Sequence, residues 1–170
     1  MSENNEFQPT TEQVEEWKNI GNKYLEGDGV EQDYVEALKW YRKAAEYNHP
    51  IAQHNIGYCY ETGFGVEKDF EKALEWYTKA AEQGFHGAKL RLGCIYYYGD
   101  GVEQDYSRAF DLFKKSAKQD NPEAQFLLGV CYSLGEGVEA NEEKASKWFK
   151  KASKKSKLAA QFQSDIIQKK

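Results

Sequence analysis

The sequence predicts an all-α fold, a solenoid of four 36-residue helix-turn-helix repeats followed by a C-terminal capping helix. Three observations predict it. A fixed period runs through the chain: glycine at 21, 57, 93 and 129, and again at 27, 63, 99 and 135 and at 29, 65, 101 and 137, always in one register. Each period carries two stretches with apolar residues at helical spacing. Between them lies a G-x-G-V segment, and the octapeptide "GDGVEQDY" at residues 27–34 recurs letter for letter at 99–106. One helix hairpin cannot bury its own apolar face, but stacked hairpins can.

In chain order, residues 1–9 are expected to form a flexible tail. Thr10-x-x-Gln13 is a capping box that opens the first helix. The repeats, within residues 10–157, span about 13–48, 49–84, 85–120 and 121–156. In the second copy, Ala52, Ile56 and Tyr60, with Gly57 beside them, make one helix face. Pro50 and Pro122 suit a first helical turn. Gly63 supplies a left-handed cap, Gly65 the return turn, and the Val30, Val66, Val102 and Val138 column is expected in the core. The second helices begin at the cap residues Asp33, Asp69, Asp105 and Asn141. Ala73, Trp76, Tyr77, Ala80 and Ala81 give one of them a wide apolar stripe, which stops near Gly84; Asn48, Asp120 and Ser156 share that column. After the fourth copy, "LAAQFQSDIIQKK" restarts the first-helix pattern, with Ala160 in the Ala52 column and Asp165 in place of glycine. Residues 158–168 therefore read as a capping helix within a 158–170 cap and tail.

Composition narrows the function. The 170 residues suffice for one domain, and nine Phe, twelve Tyr and four Trp can anchor a core in a chain that is 30% charged. A net charge of −5 repels a phosphate backbone, so no nucleic-acid partner is expected. No apolar run is long enough to span a membrane, and "MSENNEFQPTTEQ" lacks a signal-peptide pattern. The sparse set Cys59, Cys94 and Cys131 suits a reducing compartment, so the expected location is cytoplasmic.

Chemical motifs fail on spacing. Gly27-Asp28-Gly29 lacks the third glycine of a dinucleotide loop, because Gln32 stands there, and the preceding segment is a helix. Valine at the ligand position spoils a calcium loop. No C-x-x-C or H-x-x-x-H pair occurs among His49, His54, His86 and Cys59, so they read as surface or groove histidines and a structural thiol. Cys59 and Cys131 share a column beside the core tyrosine and read as small apolar groups. Glu31, Glu67, Glu103 and Glu139 form a solvated loop column rather than a catalytic pair. Lys43, Lys79, Lys115 and Lys151 read as stems lying along apolar surface with their heads in water. No cofactor, metal or catalytic residue is expected. An acidic first repeat (Glu26, Asp28, Glu31, Asp33, Glu36) faces a lysine-rich end (Lys150, Lys151, Lys154, Lys155, Lys157). That gradient permits weak head-to-tail association of an otherwise monomeric chain.

The recurring A-x-x-x-(L/I)-G-x-x-Y-x-x-G-x-G-V-x-x-D-x-x-x-A-x-x-(W)-(Y/F)-x-K-(A/S)-(A/S) resembles the Sel-one-like repeat, a relative of the tetratricopeptide repeats, over residues 13–165. Departures are Glu16 for alanine, Leu112 for Trp and Asn141 for Asp. The resemblance implies a right-handed α–α superhelix that acts as an adaptor or scaffold for other proteins, with a concave groove lined by the first helices. One branch of that family is cysteine-rich, secreted and linked to penicillin binding. Here Ala44, Ala45, Ala80 and Ala81 occupy the region of its bridging cysteines, and no S-x-x-K occurs. A cell-wall-related penicillin-binding or β-lactamase-like activity is thus an alternative without its residues, and a self-assembling structural array is a second.

With Ala52, Ile56, Gly57 and Tyr60 inward, positions 55, 58 and 62 face away. Their columns read Asn19, Asn55, Arg91, Leu127; Asn22, Tyr58, Cys94, Val130; and Glu26, Thr62, Tyr98, Leu134. The expected partner-binding residues for a protein or peptide are Asn55, Tyr58, Thr62, Arg91, Tyr98, Leu127, Val130 and Leu134. The competing expectation is that neighbouring first helices bury these side chains against each other. Phe7, Trp17, Tyr47, Tyr58, Phe64, Phe85, Tyr97 and Tyr98 lie outside the packing columns and are further specificity candidates.

Overall fold

The computed structural model describes residues 8–154, and every regular element in them is an α-helix. In order these are α1 (Thr11–Glu26), α2 (Tyr34–Ala45), α3 (Pro50–Thr62), α4 (Phe70–Glu82), α5 (His86–Tyr98), α6 (Tyr106–Ala117), α7 (Pro122–Leu134) and α8 (Glu142–Ser153). They pair as four helix-turn-helix repeats. The chain divides into two compact units, residues 1–80 and 81–170. Residues 1–7 of the expected tail and the expected capping helix at 158–168 lie outside the described residues.

The local signals act as the residue types require. Thr10 and Gln13 close a reciprocal capping box, with Oγ1 accepting from the Gln13 N–H and Oε1 from the Thr10 N–H. Asp33, Asp69, Asp105 and Asn141 each accept a bond from a first-turn amide of the helix they precede. Their own N–H groups donate to the carbonyls of Tyr24, Tyr60, Tyr96 and Tyr132 at 2.7–3.0 Å, which ties each second helix back to the first. The first helices end on Gly27, Gly63, Gly99 and Gly135 at φ from 73 to 84°, the left-handed cap. The second-helix column ends the same way, with Asn48 and Asp120 at φ 58° and 62° and Gly84 at 91°.

In unit 1, Tyr41 and Tyr77 are fully buried among Ala37, Ala44, Ala52, Ile56, Ala73 and Ala80. Each ring lies on a glycine of its own repeat. A Cβ at Gly21 would stand 2.5 Å from Tyr41, and one at Gly57 would stand 2.8 Å from Tyr77. Unit 2 repeats the arrangement with Phe113 against Gly93 and Phe149 against Gly129. Glycine is therefore required here for close approach of the paired helices, whatever its cost in helix propensity.

Two expectations need correction. The valine column is not core: Val30 is 37% exposed, and Val66, Val102 and Val138 are only half-buried. The turn is closed by backbone bonds, so the valine need only shield its rim. Trp17 is not a surface specificity residue. It is 8% exposed, tilts against Tyr47 at 5.7 Å and lies under the Lys43 ammonium at 4.1 Å, where it closes the end of the first repeat. The exposed lysine column lies along aromatic surface, as its residue type suggests. Lys43, Lys79 and Lys151 each stand over the tryptophan three residues before them, at 5.1, 4.3 and 5.4 Å.

Candidate functional site

All eight expected partner-binding residues keep solvent-facing surface; none is fully buried. In unit 1, Asn55 and Tyr58 are half-buried and Thr62 is exposed. In unit 2, Arg91, Leu127 and Val130 are half-buried, whereas Tyr98 and Leu134 are each 63% exposed. Half-burial at Asn55, Tyr58, Arg91, Leu127 and Val130 thus contrasts with the open C-terminal positions Thr62, Tyr98 and Leu134.

The ends are open because of the caps that follow them. Tyr98 and Leu134 are the last residues of α5 and α7, directly before the left-handed Gly99 and Gly135. The chain turns away at each glycine, and the preceding side chain is left in solvent. Below Tyr98, Tyr97 is held in place. Its ring packs edge-on to Tyr98 at 5.0 Å and to Tyr106 at 5.2 Å, and its hydroxyl donates to Glu136 at the start of the next repeat's turn. Burial and the Glu136 carboxylate push the Tyr97 phenol upward, so it remains a donor. This hook joins the third and fourth repeats, and the Tyr97 ring backs that of Tyr98.

In unit 1 the same face is polar. Asn22 Oδ1 accepts from the Tyr41 hydroxyl at 2.8 Å and from Asn55 Nδ2 at 3.1 Å. Tyr58 packs edge-on to Phe64 at 5.8 Å, and Phe64 stacks on Tyr34 at 4.4 Å. Thr62 Oγ1 donates to the Tyr58 carbonyl. Phe64 thus braces one repeat on the next, and Phe85 packs on the His86 ring beside it. Sequence periodicity could not identify Tyr97 or Phe64 as braces, because their partners lie in other columns.

The histidines have structural occupations. His49 caps α3, accepting the Ala52 N–H, and its other ring nitrogen bonds Glu15 at 2.8 Å. Lys18 and His49 together hold the Glu15 carboxyl below its ordinary range. His86 meets Asn121, and His54 tilts against Tyr77. Among the described residues no group of three or more His, Cys, Asp or Glu side chains is placed to hold a metal ion. Cys59 and Cys131 are fully buried, and burial pushes their thiols up to about 11 and about 12. None of the described helices is long and apolar enough to cross a membrane.

Paired helices joined by a G-x-G turn and tied to the following pair define a helix-turn-helix repeat protein. Residues 19–49, 50–85, 86–121 and 122–157 match the Sel1 repeat, and the chain belongs to the Sel1 repeat family. No curated protein sequence matches it. Among solved structures it is similar to a Sel1 repeat protein from Oxalobacter formigenes, at 38% identity and TM-score 0.79, over 83% of this chain and 56% of that one. It is equally similar to c5321, a protective antigen of uropathogenic Escherichia coli with this fold, at 38% identity and TM-score 0.79, over 83% and 30% of the two chains. The Helicobacter pylori cysteine-rich protein B shares 26% identity at TM-score 0.61, over 80% of this chain and 98% of that one. The chain thus spans about half of the first relative and under a third of the second.

Proposed function

We propose that this chain is a non-catalytic binding module that holds a partner polypeptide on the outward faces of its first helices. The observation that carries the reading is the pair Tyr98 and Leu134, one repeat apart and each 63% exposed, on helix ends that the fold leaves uncovered. A large apolar side chain held rigid at the surface is the usual anchor of a protein interface. Sel1 repeats generally mediate protein interactions, which supports the class.

The test is a double substitution, Tyr98→Asp with Leu134→Asp. Both side chains are mostly exposed, so far-UV circular dichroism should be unchanged. Affinity capture followed by mass spectrometry should lose a defined set of proteins relative to the unaltered chain. Undiminished capture would place the site elsewhere. Incubation with a fluorescent penicillin should leave no covalent band, and such a band would favour the penicillin-binding reading.

A further inference from the structure

The turns after the first helices differ in what their second residue does. Phe64 stacks on Tyr34, and Glu136 accepts from the Tyr97 hydroxyl. Asp28 and Asp100 fill the same position, are exposed, and have carboxylates that engage no partner among the described residues. Each is followed by a glycine, Gly29 at φ 73° and Gly101 at φ 70°, whose N–H donates to no group among the described residues. The carboxylates of Asp33, Asp69 and Asp105 instead hold first-turn amides, and that of Asp120 holds Gln125 and Lys151. None of these precedes a glycine.

From this pattern we infer that the Asp28–Gly29 and Asp100–Gly101 linkages are sites of spontaneous covalent rearrangement to isoaspartate. The glycine amide nitrogen attacks Cγ of the protonated aspartate carboxyl. The new N–Cγ bond closes a succinimide ring, and the carboxyl hydroxyl leaves as water with the amide proton. Water then adds to one imide carbonyl. Opening at Cγ restores the original linkage. Opening at the main-chain carbonyl leaves the chain running through Cγ, with the former carbonyl carbon as a free carboxylate. One water leaves and one returns, and nothing is oxidised or reduced. Glycine suits the step because no Cβ crowds its nitrogen and its backbone turns through both signs of φ. A Cβ at Gly29 would meet nothing within 4 Å, so the first of these turns is not hemmed in by a neighbour. The product adds one carbon to the main chain between the bonds that close the turn. Those are Asp28 N–H to the Lys23 carbonyl and Asp33 N–H to the Tyr24 carbonyl, both at 3.0 Å. In the third repeat they are Asp100 N–H to Ile95 and Asp105 N–H to Tyr96. Rearrangement therefore loosens the tie between paired helices in the first and third repeats and spares the second and fourth.

The experiment incubates the full chain in heavy-oxygen water at mildly acidic pH, digests it with trypsin in ordinary water and maps the peptides by mass spectrometry. Fragmentation should place one heavy oxygen on Asp28 and on Asp100 and none on Asp33 or Asp105 in the same peptides. Uptake should run within about tenfold of the rate in the free octapeptide Gly-Asp-Gly-Val-Glu-Gln-Asp-Tyr, because no local unfolding has to precede the attack. Part of the labelled material should resist an aspartate-specific endoprotease, as an isoaspartyl linkage does. Asp28→Glu, which would have to close a larger and slower-forming ring, should lose the label at that position and keep it at Asp100. Equal labelling of Asp33 and Asp105, complete cleavage of the labelled peptides, or uptake confined to the chain in urea would overturn the inference. So would no uptake at either glycine-linked aspartate under conditions that label the free octapeptide.

Discussion

Replacing the second glycine of the turn by alanine separates two requirements that share one position. Gly29 and Gly65 have the same backbone, at φ 73° and 69°, so alanine at either takes on left-handed strain of about 1–2 kcal/mol. Alanine also restricts the unfolded chain, which returns about 0.4–1 kcal/mol. Gly29→Ala should therefore cost about 1 kcal/mol. At Gly29 a Cβ meets nothing within 4 Å. At Gly65 it would stand 2.3 Å from the Tyr34 carbonyl oxygen and 2.8 Å from the Val35 nitrogen, in the first turn of the preceding repeat's α2. Those are backbone atoms, and no rotamer relieves them. Overpacking adds about 1–3 kcal/mol, for a total of about 2–4 kcal/mol. Urea unfolding followed by circular dichroism should show a clearly lower midpoint for Gly65→Ala than for Gly29→Ala. Gly137, whose Cβ would lie 2.0 Å from the Tyr106 oxygen, should behave like Gly65. Equal midpoints for Gly29→Ala and Gly65→Ala would refute the idea that this glycine joins repeats.

Three further predictions follow the same physics. Cys59 and Cys131 have thiols raised from 9.0 to about 11 and about 12, so the stability they contribute is present below the unfolded value and lost as pH rises toward those values. At pH 8, iodoacetamide should modify neither in the folded chain and both in urea, and rapid labelling of the folded chain would contradict their burial. Glu15 is held below its ordinary 4.5 by Lys18 and His49, so its contribution is present above that value and fades as pH falls through the lowered one. Its carboxylate is half-exposed, so solvent limits the effect to a few tenths of a kcal/mol, and Glu15→Gln should flatten the acid limb of a stability–pH curve. Asn121→Ala removes the α7 cap and should lower stability by about 1 kcal/mol in urea unfolding, whereas Phe85 precedes α5 with no side-chain cap to lose.

Much of this fold was legible because each repeat writes its local chemistry at fixed positions. The capping residues Thr10, Asp33, Asp69, Asp105 and Asn141, the glycine caps and the paired alanines all act through neighbours within a few residues, and such neighbours share a column. Contacts that join different columns were not legible. Tyr97 donates to Glu136, 39 residues on, and that distance is not a multiple of the period. Phe64 stacks on Tyr34, and Gly65 abuts the Tyr34 carbonyl, for the same geometric reason: one repeat's turn rests on the previous repeat's second helix. Trp17 looked free because its column holds no aromatic in other copies. It is buried because the first repeat has no preceding repeat and closes its own end with Trp17, Tyr47 and Lys43. Of the site, the face and its members could be read from helix angles. Which members stay open could not, because exposure at Tyr98 and Leu134 depends on where the chain turns away.

The most direct test of the binding role places a photo-crosslinking phenylalanine analogue at position 98 and, separately, at position 35. Val35 is also exposed, at 53%, but it sits in the first turn of α2, away from the proposed face. After irradiation in cells that make the protein, position 98 should yield one or a few discrete heavier species, and position 35 should yield none of them. The same species from both positions, or none from position 98, would contradict a partner held at the ends of the first helices.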